Sequence, residues 1–273
     1  MEAFLLRWRG GKFIMKINLI SFLVGLAAGI FGGLAGLGGG IVMIPLMIHV
    51  LKLNQHQAHG TSLLALVFTG ISGAITYGLN GAVDLAAALL LAGTAVFTAR
   101  AGAHYCNVLP AWKLRKYFGF FLLVCAALLL SKPYLFALVG DIPGYAKAII
   151  LLATGLATGF LSGMMGIGGG AIMVLVMVLL TGSTQHIAQG TSLLVMVPTG
   201  AAGALTHYKL GNVVQRLLVG LIPGILLGTY LGGSFAYLLP ENVLRIIFTA
   251  VVIWMGWRYA RTAAPKDQPD QCR

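Results

Sequence analysis

The chain has 273 residues, of which 59% are apolar and only 9% charged, and its mean hydropathy is +0.93. An average soluble domain carries roughly 25% charged residues, and a soluble fold could not cover its surface with so few. The formal net charge of +12 would suit a nucleic-acid partner, but the charges fall between apolar runs, where membrane topology accounts for them, so no nucleic acid is expected.

In chain order, residues 1–16 form a basic extension with Arg7, Arg9, Lys12 and Lys16 ahead of an apolar stretch from Ile17. A signal peptide begins in the same way, but this stretch recurs later inside a repeat and is read as an integral segment. Apolar segments are predicted at roughly 17–36, 39–51, 60–79, 84–109 and 114–131. A loop follows at 132–145, then segments at 146–166, 169–181, 189–208, 214–238 and 242–260 and a polar tail at 261–273. Most approach the roughly 20 residues needed to cross about 30 Å of hydrocarbon. The expected fold is an all-α polytopic membrane protein made of two membrane repeats, 17–131 and 146–260, with five apolar segments each. The second segment of each repeat, at about 13 residues, is too short to cross alone as a regular helix; if both are re-entrant, eight crossings remain instead of ten.

The repeat is direct. Shifting the chain by 130 positions lays Gly25–Gly81 on Gly155–Gly211 without a gap, and about 26 of 57 pairs are identical. Gly36, Gly38, Gly39 and Gly40 fall on Gly166, Gly168, Gly169 and Gly170, and Gly60-Thr61-Ser62 falls on Gly190-Thr191-Ser192. If all ten segments cross, 15 of the 18 basic residues lie on one side, and only Lys132, Lys147 and Arg245 lie opposite. Cytoplasmic loops carry the excess of Lys and Arg, so both termini are expected in the cytoplasm, in a bacterial inner membrane. An odd number of crossings per repeat then inverts the second copy relative to the first, the plan of many secondary transporters with a midplane site.

Gly36-Leu37-Gly38-Gly39-Gly40 and Gly166-Ile167-Gly168-Gly169-Gly170 each separate a long segment from a short one. Glycine permits positive φ, so the chain reverses there and leaves its amides uncovered. With the positive end of the following helix dipole, those amides form an anion site that needs no charged side chain. Gly25, Gly29 and Gly33, spaced by four, suit close helix packing instead. A dinucleotide-type phosphate loop is excluded because neither copy supplies the preceding strand of a βαβ unit.

The second repeated element adds His59, Thr61 and Ser62 in one copy and Gln189, Thr191 and Ser192 in the other as candidate donors to the same cavity. The hydroxyls could equally serve as helix N-caps, and His56 and His186 as cap residues at the interface. Arg100, near a segment end, could draw anions toward an inner vestibule or could snorkel to the interface. The six acids, Glu2, Asp84, Asp141, Glu241, Asp267 and Asp270, all sit at segment ends or tails, so no carboxylate relay for a proton or sodium pump is evident. Cys106, Cys125 and Cys272 have no metal-ligand spacing, and no cofactor or metal is expected. No Ser/His/Asp or His/Glu cluster repeats in the apolar region, so an enzyme is not expected.

With the paired glycine turns, the repeated Gly-Thr-Ser elements, and Leu109-Pro110 then Leu114-Arg115 matched by Leu239-Pro240 then Leu244-Arg245, the chain resembles the sulfite exporter TauE/SafE family over about residues 17–260. The resemblance implies movement of a small sulfur-containing anion, such as sulfite, an organosulfonate or a thiosulfate-like species. It points to Gly38, Gly39, Gly40, Gly168, Gly169 and Gly170 and to the Thr61-Ser62 and Thr191-Ser192 pairs. Arg100 stands where the family would have a small or apolar residue. A negative-inside potential favours outward movement of an anion by about 2.3 kcal/mol per charge per 100 mV, so export needs no coupling ion. An anion channel of the same fold, or a divalent metal transporter, is the alternative.

Overall fold

A computed structural model describes residues 11–105, 116, 119–120, 122–124, 126–127 and 143–261. Outside them lie the chain up to residue 10, the pairs Leu109-Pro110 and Leu114-Arg115, the loop up to 142, the tail beyond 261, and Cys106, Cys125 and Cys272. Among the described residues the regular elements are all helical.

Four helices, α1 (Gly11–Ala35), α2 (Gly40–His49), α3 (Gln55–Leu79) and α4 (Leu85–Tyr105), precede further helical residues at 116, 119–120, 122–124 and 126–127. Then follow α5 (Gly144–Met165), α6 (Gly170–Val176, continued by a π turn over Met177–Thr181), α7 (Gln185–Lys209), α8 (Gln215–Leu238) and α9 (Glu241–Ala260). At about 1.5 Å per residue, α2 is about half as long as a bilayer core is thick, whereas α3 and α7 at 25 residues each exceed it.

Local signals set these bounds. The Asn54 side chain accepts from Gln57 N at 2.8 Å while the Gln57 side chain accepts from Asn54 N, a reciprocal capping box that starts α3 five residues before the expected segment. Thr184 caps α7 in the same register, accepting from Ile187 N. The caps are thus Asn54 and Thr184, while Thr61, Ser62, Thr191 and Ser192 lie inside the helices. Among the described residues six helical spans are long and apolar enough to cross a membrane: Met15–Ala35, α3, α4, α5, α8 and α9. Helix α7 is long enough but more polar, and its polar side chains Gln185, Gln189, Thr191, Ser192, Thr199 and His207 are buried against protein.

Packing exchanges the two halves. α1 lies along α8, where Gly25 meets Leu221, Gly29 meets Ile225 and Gly33 meets Thr229, so the two helices run parallel. The counterparts α5 and α4 pair likewise, with Gly155 against Leu91, Gly159 against Ala95 and Gly163 against Ala99. In both seams a Cβ on the glycine would strike a backbone carbonyl of the partner helix. Small residues every fourth position let the backbones approach this closely, which supplies van der Waals contact where the hydrophobic effect does not act between helices. At the centre α3 and α7 pack on each other with Gly70 beside Leu193 and Val197, and Gly200 beside Leu63 and Val67. Sequence numbers rise on one as they fall on the other, so these two equivalent helices run antiparallel.

Candidate functional site

The glycine turns meet at the centre of the molecule. Gly36, Gly38 and Gly39 have φ of 67, 80 and 75°, and Gly166, Gly168 and Gly169 have φ of 69, 96 and 68°. Residues with a Cβ rarely adopt this left-handed conformation, and it ends α1 and α5 sharply while starting α2 and α6 at Gly40 and Gly170. Gly39 O accepts the first amide bonds of α2, from Val42 N and Met43 N, and Gly169 O those of α6, from Ile172 N and Met173 N. Ahead of those bonds, the amides of Gly40 and Ile41 and of Gly170 and Ala171 have no acceptor within their own helix. The turns also touch each other: a Cβ on Gly40 would lie 2.8 Å from Gly166 O, and one on Gly170 2.7 Å from Gly36 O.

The repeated Gly-Thr-Ser elements hold these turns. Ser62 Oγ donates to Gly166 O at 2.8 Å, and Ser192 Oγ donates to Gly36 O at 2.8 Å, so each repeat's serine grips the other repeat's turn. Thr61 Oγ1 accepts from Val214 N at 3.1 Å and Thr191 Oγ1 from Asp84 N at 2.9 Å, which ties the start of α8 to α3 and of α4 to α7. All four hydroxyls are fully buried and bonded to backbone.

Between the turns the centre is apolar. Leu66 and Met196, equivalent under the 130-residue shift and both fully buried, lie against both Gly38 and Gly168. This waist separates two polar ends. At one, Tyr77 Oη lies 3.0 Å from both Gly33 O and Gln189 Oε1, and its single proton is shared between the two acceptors. Gln189 packs on Gly36, and its Nε2 is buried without a partner. At the other end His59 Nδ1 donates to Met165 O, and His207 Nε2 donates to Gly163 O at 3.2 Å. An N–H bonded to a carbonyl fixes which ring nitrogen carries the proton, so His207 Nδ1, buried without a partner, is left as an acceptor.

The structure therefore brings together Gly38, Gly39, Gly40, Gly168, Gly169, Gly170, Ser62 and Ser192, with His59 at one end and Gln189 at the other. Thr61 and Thr191 sit one residue away and face the loops. Arg100 is exposed on α4, next to the buried Ala99 that meets Gly163. Sequence reasoning missed Tyr77 and His207. They occupy equivalent positions under the same shift, but the two residue types differ, so a search for identities passes over them; two buried polar residues at one repeat position was the available signal.

This arrangement defines the class: a multi-pass helical membrane protein whose broken helices meet inside the protein, where irregular backbone is tolerated at membrane depth. The chain belongs to the sulfite exporter TauE/SafE family, whose description matches residues 21–259. It is 32% identical over 237 residues to the probable membrane transporter protein YdhB of Bacillus subtilis, covering 85% of this chain and 94% of that protein. It is 28% identical to YunE of the same organism, also a probable membrane transporter protein, covering 87% of this chain and 95% of that one. A probable membrane transporter protein of Xylella fastidiosa (strain 9a5c) is 29% identical, with 86% and 92% covered. No solved structure matches.

Proposed function

We propose that this membrane transporter moves a small sulfur-containing oxyanion (sulfite, an organosulfonate or a thiosulfate-like species) outward from the cytoplasm with the membrane potential. The observation that carries the proposal is the meeting of two left-handed glycine turns at a buried waist with a polar end on either side. Amides of Gly38, Gly39, Gly40, Gly168, Gly169 and Gly170 hold the anion as it passes, with His59 as its side-chain partner at one end of the waist and Gln189 at the other. Ser62, Ser192, Thr61 and Thr191 keep the turns and neighbouring helix starts in place. The family's description supports the substrate class, and hydrogen-bond donors aimed at an anion need no fixed positive charge.

In this reading the repeats are inverted in a bacterial inner membrane with both termini cytoplasmic, and they alternate around the site. Two features support it: the antiparallel packing of α3 and α7, and the closure of the waist by Leu66 and Met196, which favours alternation over an open pore. Reconstitution in liposomes tests the proposal. An imposed potential, negative on the cytoplasmic side, is expected to accelerate sulfite or methanesulfonate efflux; efflux indifferent to the potential would exclude electrogenic export. Gly39→Val and Gly169→Val are expected to insert in the membrane but lose anion binding, and unchanged affinity in both would remove the glycine turns from the site.

A further inference from the structure

The two polar ends are equivalent in position and different in chemistry. Tyr77 and Gln189 at one end are a phenol and an amide, side-chain types that do not change charge near neutral pH, whereas the equivalent residues at the other end, His207 and His59, are both imidazoles. They reach the end of α5 from two helices, α7 and α3, and are only 1% and 4% exposed. His56, half-buried on the first turn of α3 with its Nδ1 also lacking a partner, and His104, exposed near the end of α4 where it runs beside α5, stand at the same end. Four of the chain's six histidines thus gather at one end and step from buried to exposed.

The other titratable or charged groups described near that end include Lys16 on α1, Arg100 and Tyr105 on α4, Tyr208 and Lys209 on α7 and Arg216 on α8, all exposed. The described carboxylates are elsewhere: Asp84 bonds beside Thr191, and Glu241 accepts from Gln185 N. Among the described residues no group of three or more His, Cys, Asp or Glu is placed to hold a metal ion, whereas an imidazole can take a proton near neutral pH.

We propose that the His59–His207 end is a proton-binding site, and that the transported anion is held there together with a proton on imidazole. The inference rests on the anion-transport reading. The proton comes from hydronium in the water, whose O–H bond breaks as an N–H bond forms at His207 Nδ1, while Nε2–H stays on Gly163 O. The imidazolium then supplies one donor and one positive charge beside a monoanion, in a site that has no fixed cation. An isolated buried anion is costly, and a paired one much less so. Binding one anion therefore takes up one proton, which returns to the side it came from as the anion moves on, so that the anion alone crosses with the potential. Affinity rises as pH falls.

Methanesulfonate is the probe, because it stays fully ionised between about pH 5.5 and 8.5. With the full-length purified chain, the dissociation constant should rise roughly tenfold per pH unit on the alkaline side of the titration. Calorimetry in buffers of different ionisation enthalpy should show about one proton taken up per anion. The double substitution His59→Gln with His207→Tyr copies the residues of the opposite end and should abolish both effects; His207→Gln serves where the larger ring does not fit. Affinity independent of pH in the unaltered chain, or an unchanged slope in folded variants, overturns the proposal. Nitrogen NMR of labelled histidines, assigned by difference from His207→Gln, reads the proton without the anion. A His207 signal that does not titrate in that range, with or without methanesulfonate, also overturns it. If His207 titrates in a protein that binds no anion, the proton site stands and the anion reading falls.

Discussion

Gln189 illustrates how this protein keeps polarity inside an apolar body. Its Oε1 accepts from Tyr77, but its Nε2 is buried with no acceptor. A buried unsatisfied donor costs roughly 1–3 kcal/mol, and a site awaiting an anion is one place where such a cost is tolerated. Gln189→Leu is therefore expected to leave the thermal unfolding midpoint in detergent unchanged or higher, because Tyr77 still donates to Gly33 O. The same variant should weaken methanesulfonate binding by about tenfold, or roughly 1.4 kcal/mol; equal affinity would remove Gln189 from the site. Lys52 carries a different strain, since it alone among the described non-glycine residues has positive φ, at 54°, where the other repeat has Gly182 at 74°. The left-handed region costs a non-glycine residue about 1–2 kcal/mol, partly offset by the greater chain entropy glycine loses on folding. Lys52→Gly should thus stabilise by up to about 1 kcal/mol, read as a higher unfolding midpoint.

At the scale of helices, the glycines every fourth position did what their spacing suggested. Gly25, Gly29 and Gly33 form the α1–α8 seam, and the same pattern at Gly155, Gly159 and Gly163 forms the α4–α5 seam. Sequence spacing marked a packing face but did not name its partner, which comes from the other repeat. Within one helix pair, glycines should differ sharply in tolerance. A Cβ on Gly163 would collide with the Ala99 carbonyl, whereas one on Gly93 would meet nothing within 4 Å. Gly163→Ala is expected to destabilise by about 1–3 kcal/mol through overpacking. Gly93→Ala should stabilise by roughly 0.5–1 kcal/mol through reduced freedom of the unfolded chain, so melting the two variants side by side reads the seam directly. The caps at Asn54 and Thr184 were missed because the polar residues after them resemble helix starts; the reciprocal Asn54–Gln57 pair is the stronger signal.

For the whole molecule, the central question is how the two repeats lie across the bilayer. The proposed inversion places the ends of α2 and α6 on opposite sides. Cysteines introduced at Lys52 and Ser183, just beyond those ends, should then react with impermeant reagents from opposite faces of the membrane, and labelling from the same face would show parallel repeats. The repeat, its glycine turns and the helical membrane-spanning class were all legible in the sequence, because hydropathy, glycine and a direct 130-residue match are local properties that survive without coordinates. Only the tertiary structure decided that each repeat's first helix packs on the other's fourth, and that each repeat's serine grips the other's turn. It also placed Tyr77 and His207 at the ends of the waist. Those are contacts between residues more than 40 positions apart, chosen by shape and by the need to bond every buried polar group, and neither constraint is written in the pattern of any single segment.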